Sequence, residues 1–304
     1  MMIYTCTLNP SVDYIVKIEN VNIGSLNRAD NTAFYPGGKG INVSRVLKRL
    51  GQETTALGFI GGFTGHFIEN SLIEEGVHLD FIEVIEPTRV NVKLKSSVET
   101  EINGQGPAVS KENEQELFAK VSSMTDQDYL VLAGSLPPTL SPDYYQLLAK
   151  QCKENKTRLI VDTSGDALKD LLTYKPFLVK PNQHELGEFF NVEISSIEEA
   201  VEYGRKLLDF GPENVIVSLG GDGALLLNGE TTVFANVPKG ELKNSVGAGD
   251  SLVAGFIAAY VEKGDFLEAF KYGIASGSAT AFSNDLCEKS TVESLLKEIN
   301  IEQL

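Results

Sequence analysis

The chain has 304 residues, enough for one large core and a small accessory unit. Its formal net charge of −16 argues against non-specific binding to nucleic acid or to an anionic membrane, both of which want a basic surface. Cys6, Cys152 and Cys287 form no CxxC pair, which excludes a disulfide framework or zinc site of the usual spacing.

In chain order, short apolar runs at residues 3–8, 55–60, 129–133, 159–162, 177–179, 215–218 and 224–227 read as strands. Stretches with helical spacing lie between most of them: Val43, Val46, Leu47 and Leu50; Leu147, Leu148 and Cys152; Leu252, Phe256, Ala259 and Tyr260. This alternation predicts a single α/β domain over residues 1–304, with a doubly wound, mostly parallel sheet flanked by helices. Residues 131–133 and 216–217 are apolar without alternation, as strands buried on both faces should be. Two segments break the rhythm, at about 13–35 and 88–103. In the second, Val90, Val92 and Leu94 alternate with Asn91, Lys93 and Lys95, the period of a strand with one wet face. These segments are expected to form a small antiparallel β-sheet, either a lid over a site or an edge extension of the main sheet. The end of the chain reads as three helices at 247–262, 266–282 and 291–299, with Asp265 and Ser290 as N-caps for the last two. With no signal-peptide pattern and no run long enough to span a bilayer, a cytoplasmic location is expected.

Four motifs carry chemistry. In Asn244-Ser-Val-Gly-Ala-Gly-Asp250, three small residues open a helix, so the N–H groups of Gly247, Ala248 and Gly249 can approach an anion at the positive end of a helix dipole. Asp250 has the wrong sign to hold phosphate. It is either a base taking a proton from an attacking hydroxyl or a first-turn acid favoured by the dipole. Pro36-Gly-Gly38-Lys39-Gly-Ile-Asn42 is a second glycine cluster opening a helix, with a cation and an amide in reach of a ligand. A tight turn is its plainer reading, and GxxxxGK[ST] is absent from the chain. Ser218-Leu-Gly220-Gly221-Asp-Gly223 ends a strand where α/β sheets bind nucleotides, and a hairpin is expected after it. Lys180-Pro-Asn182-Gln-His-Glu185 also follows a strand; Glu185 reaches a metal–phosphate assembly or merely caps a helix.

Together these motifs resemble the signatures of the ribokinase-like sugar kinases, the PfkB family, over essentially the whole chain from Thr7-Leu-Asn-Pro-Ser-Val-Asp13 to the last helices. Within it, Thr88-Arg-Val-Asn-Val92, Glu101-Ile-Asn-Gly-Gln-Gly-Pro107 and Ala133-Gly-Ser-Leu-Pro137 are most similar to the bacterial 1-phosphofructokinases, then to tagatose-6-phosphate kinases. The resemblance implies MgATP-dependent phosphorylation of fructose 1-phosphate to fructose 1,6-bisphosphate. Tagatose-6-phosphate kinase or 6-phosphofructokinase activity, or a non-catalytic sugar-phosphate sensor, are the alternatives. It implies Asp250 as base and Gly247, Ala248 and Gly249 as anion hole. Asp13 and Asn42 match residues that hold sugar hydroxyls; Gly38 belongs to the same substrate-binding set. Lys39 and Arg89 match positions near the substrate phosphate, with Arg28 beside them. Ser218, Gly220, Gly221 and Gly223 match the nucleotide loop. Lys180, Asn182 and Glu185 lie in the motif linked to phosphate and Mg²⁺. The lid is implied to serve also as a homodimer interface.

Overall fold

The computed structural model describes all 304 residues. In chain order the elements are β1 (Ile3–Thr7), β2 (Ser11–Lys17), β3 (Asn31–Gly37), α1 (Lys39–Arg49), β4 (Thr54–Ile60), α2 (Gly62–Glu74), β5 (His78–Leu79), β6 (Ile82–Glu83), β7 (Arg89–Lys95) and β8 (Thr100–Asn103). There follow α3 (Lys111–Ser122), β9 (Tyr129–Ala133), α4 (Tyr144–Asn155), β10 (Arg158–Asp162), α5 (Gly165–Leu172), β11 (Leu178–Val179), α6 (Gln183–Phe190) and α7 (Ile197–Leu208). The last are β12 (Asn214–Ser218), β13 (Ala224–Asn228), β14 (Thr232–Ala235), α8 (Ala248–Lys263), α9 (Phe266–Ala281), α10 (Lys289–Leu295) and β15 (Ile301–Gln303).

The main sheet runs β15-β14-β13-β12-β11-β10-β9-β1-β4-β5, with β6 also on β4. It is parallel from β5 to β12 and antiparallel from β12 to β15. The absence of alternation in its strands has a direct cause: successive residues feed two different cores. Leu130 and Leu132 face the core under α3–α7, while Tyr129, Val131 and Ala133 face the one under α1, α8 and α9. Val215 and Val217 against Ile216 repeat the split. With both faces covered, every position favours an apolar side chain. β1 is the strand where chain order reverses, with β4 on one side and β9 on the other, and such switch points leave a crevice at the strands' C-terminal ends.

The second sheet has four strands, β3-β2-β7-β8. Its outer pairs are antiparallel, as expected, but its central pair β2–β7 is parallel. The reason is that both strands leave the main sheet from the same end: β2 follows β1 across Leu8–Pro10, and β7 follows Thr88, whose Oγ1 accepts from the N–H of Gly61 just after β4. Arg89 ties the root together, donating to the carbonyls of Asn9, Pro10 and Gly104.

At the C-terminus Asp265 caps α9 by accepting from the N–H groups of Leu267 and Glu268. The last helix starts earlier than expected, capped at Glu288 rather than Ser290, because the Glu288 carbonyl already accepts the Val292 N–H. Strands β14 and β15 were not anticipated; they extend the hairpin after β12 into an antiparallel edge. No helix is long and apolar enough to cross a membrane.

Candidate active site

The C-terminal ends of the parallel strands, the N-termini of α1, α6 and α8, and one face of the small sheet enclose a cavity of about 820 Å³. Only four of its 28 lining residues are hydrophobic, which suits a polar ligand. Four buried side-chain polar atoms in the protein lack a hydrogen-bond partner: Thr7 Oγ1, Asn9 Oδ1, Asn91 Oδ1 and Asp162 Oδ2. All four residues line this cavity. Leaving a buried polar group unpaired costs about 1–3 kcal/mol, so the concentration of such atoms here marks a polar cleft suited to hydrogen-bonding water or a polar ligand.

At one end sits the N-terminus of α8. Gly247 caps it with φ +80, a left-handed conformation that favours glycine. The Ala248 N–H is bonded to the Ser245 carbonyl, while those of Gly247, Gly249 and Asp250 have no partner. Ala248 accordingly does not line the cavity, whereas Gly247 and Gly249 do. Asp250, in the first turn, is buried, and its Oδ2 accepts a 2.8 Å hydrogen bond from Asn42 Nδ2 on α1. Burial, then the nearby Asp162 carboxylate, push the Asp250 carboxyl up to about 6, against the pull of Asn42, Lys39 and Lys180. A carboxyl so placed is a stronger base than an ordinary aspartate and is still ionised at neutral pH.

Asp162 ends β10 with 1% exposure, and both lysines converge on its Oδ1, Lys39 Nζ at 3.0 Å and Lys180 Nζ at 3.5 Å. Burial alone would raise its carboxyl; Lys180 and Lys39 hold it below the usual range. Lys39, raised by Asp162 despite its burial, is thus held at the main-sheet end of the cavity. Lys180 Nζ would lie 3.1 Å from a side chain added at Gly249, which places this ammonium against the helix N-terminus.

Asn182 and Glu185 make a reciprocal capping box at the start of α6: Asn182 Oδ1 accepts from the Glu185 N–H, and Glu185 Oε2 accepts from the Asn182 N–H, both at 2.8 Å. Glu185 caps the helix, as the plainer reading expected, and it also lines the cavity. Ser218 lines the cavity; Gly220, Gly221 and Gly223 form an adjoining turn outside the lining.

The opposite wall is the small sheet. Ser11, Asp13, Arg89, Asn91, Lys93, Glu101 and Asn103 share its inner face and all line the cavity. Asp13 Oδ1 accepts from Ser11 Oγ and Asn91 Nδ2, and its Oδ2 pairs with Lys93 Nζ at 3.1 Å. Arg89 has only carbonyl partners; burial pushes its guanidinium down, and no carboxylate forms an ion pair with it. Gly38 and Asn42 are at the wall between the two ends, while Arg28 lies exposed outside the cavity. Sequence reasoning missed Asp162, Asn9, Asn91 and Lys93 as site residues. Asp162 ended a recognised strand at the same level as the other motifs, a signal that was available. Asn91 and Lys93 were read as a wet face, when that face looks into the cleft.

The family model for pfkB family carbohydrate kinases matches residues 7–291, and the chain belongs to that family. The 1-phosphofructokinase of Bacillus subtilis (strain 168) is 54% identical, with 100% of each chain covered. The D-tagatose-1-phosphate kinase of Bacillus licheniformis is 41% identical, again over 100% of both. Among solved structures, phosphofructokinase-2 from Escherichia coli in complex with fructose-6-phosphate superposes with a TM-score of 0.91 at 30% identity, covering 98% of each chain; a tetrameric inhibited form of it is also known.

Proposed function

We propose that this carbohydrate kinase transfers the γ-phosphoryl group of ATP to the 6-hydroxyl of fructose 1-phosphate. The observation that carries the reading is the pairing of two ends in one cavity: a buried, Asn42-bound Asp250 beside bare N–H groups, and an Arg89 guanidinium with no carboxylate partner. Asp250 accepts the hydroxyl proton as the new O–P bond forms and the bond to the β-phosphate oxygen breaks, releasing ADP. The N–H groups of Gly247 and Gly249 and the ammoniums of Lys39 and Lys180 meet the charge on the transferred group. Arg89, with its fork of donors, holds the phosphate already on the sugar. Asp13 and Asn42 orient the sugar, and Gly38 gives it room. Ser218 and the turn through Gly220, Gly221 and Gly223 seat the nucleotide, with Asn182 fixed by its capping box.

No group of three or more His, Cys, Asp or Glu side chains forms a metal cage. One free Asp162 oxygen and Glu185 in the same cavity instead fit a Mg²⁺ carried in on the phosphates, which usually keeps few protein ligands. When bound it neutralises phosphate charge. Three buried, unpaired thiols support a reducing cytoplasm. The exposed apolar outer face of the lid sheet, with Phe34 54% and Ile102 58% accessible, supports a homodimer through the lid.

A panel of fructose 1-phosphate, tagatose 1-phosphate, tagatose 6-phosphate and fructose 6-phosphate with MgATP tests the reading. Fructose 1-phosphate is expected to give a kcat/KM at least about tenfold above the others. A higher value for tagatose 1-phosphate would favour the second reading, which rests on the 41% identical relative. ADP release with none of the four would leave the sensor.

A further inference from the structure

The inner face of the lid sheet holds a charge pair that neither the nucleotide nor the phosphate end of the cavity uses. Lys93 is 9% exposed although it sits on a four-stranded accessory sheet. Its ammonium lies 3.1 Å from Asp13 Oδ2 and 3.8 Å from Glu101 Oε1. The second distance is too long for a hydrogen bond, so Lys93 retains N–H donors for a ligand. Asp13 is held equally firmly. Its Oδ1 takes Ser11 Oγ at 2.8 Å and Asn91 Nδ2 at 3.3 Å, and a side chain at Gly37 would lie 2.6 Å from its Cγ. Oδ2, beside Lys93, is therefore the oxygen with acceptor capacity left.

A fixed acceptor and a fixed donor about 3 Å apart complement two adjacent hydroxyls, one donating to the carboxylate and its neighbour accepting from the ammonium. Resting on the ketohexose-phosphate reading above, we propose that Lys93 is a specificity-determining residue, which together with Asp13 reads the configuration of the C3–C4 diol of the sugar. Fructose and tagatose differ only at C4, the diol being trans in the furanose ring of the first and cis in that of the second. Moving one hydroxyl to the other face of the ring leaves one member of the pair unsatisfied, and a site built to bond a hydroxyl rejects the analogue that cannot supply it.

The experiment compares the wild type with Lys93→Met and Lys93→Arg on fructose 1-phosphate and tagatose 1-phosphate. For Lys93→Met, loss of a charge-assisted hydrogen bond predicts a KM for the preferred epimer raised about 30-fold, with the KM for ATP within about twofold. The ratio of kcat/KM between the two epimers should fall about tenfold, because the discriminating donor is gone. Lys93→Arg, which keeps charge and donors, should recover most of that KM. A lysine that merely neutralises Asp13 would lower both epimers alike; an unchanged ratio therefore overturns the proposal. If the Met variant does not fold, Lys93→Leu, which likewise has no donor, carries the same ratio measurement. A wild type that phosphorylates neither epimer overturns the substrate reading and this inference with it. An active wild type with an unchanged variant ratio overturns the Lys93 assignment alone.

Discussion

The main sheet and the lid sheet follow opposite rules. In the main sheet the central strands are apolar and covered by helices on both faces. In the lid the polar face is buried, with Asn91 at 8% and Lys93 at 9% exposure, while Phe34, Val90 and Ile102 on the other side meet solvent. The main sheet is ordered by packing on both faces; the lid is packed within the chain at its root, where Val12 meets Ile41 of α1 and Ile68 and Leu72 of α2, while its polar face looks into the cavity. The cavity lining divides along the same line: Asp250 and the paired lysines Lys39 and Lys180 sit on the main body, and Asp13, Arg89 and Lys93 sit on the lid.

The sharpest test of that division is Asp250→Asn. Losing a general base usually costs about 10²–10⁴-fold, so kcat should drop by that order while ADP affinity, read by calorimetry, holds within about twofold. A variant with near-normal turnover would remove the base from the main body. Arg89→Ala should act the other way, raising the KM for the sugar phosphate by about 100-fold through loss of charge-assisted bonds, with kcat less affected. A kcat loss as large as that of Asp250→Asn would erase the distinction between the two walls.

The third test uses pH. Asp250 must be ionised to accept a proton, and its carboxyl is raised to about 6, so kcat/KM should rise with pH through about 6 and level off above it. Asp162 is one cause of the raised value, so Asp162→Asn should move this limb to lower pH. A limb that stays put would mean that burial alone sets the base. The smallest effect is expected on the lid's outer face. Ile102→Thr, at a 58% exposed position, should change the unfolding free energy by less than about 0.5 kcal/mol, yet shift sedimentation towards the monomer. A large loss of stability without a change of assembly would make the outer face part of the fold.

The division also explains what could be read from the amino-acid order. Runs such as Val131–Ala133 are legible as buried strands because two cores act on adjacent residues. The helix-opening glycines around Gly38 and Gly247 are legible because few other residues suit those turns. Lys93 was not legible as a site residue, since alternation reports two unlike faces without saying which one meets water. The placement of Lys39 was hidden for a different reason: its partner Asp162 lies 123 positions away, and no local pattern announces such a pair.

The Asn42–Asp250 hydrogen bond joins residues 208 positions apart. Asn42 is delivered by the first helix to be synthesised and Asp250 by the eighth, and the two helices must lie side by side before the bond can form. During synthesis the lid strands and the first helix are therefore made long before the glycine-rich start of α8. Asp250 can therefore be fixed in place only when α8 emerges and docks on α1, so the site is completed late in the synthesis of each molecule.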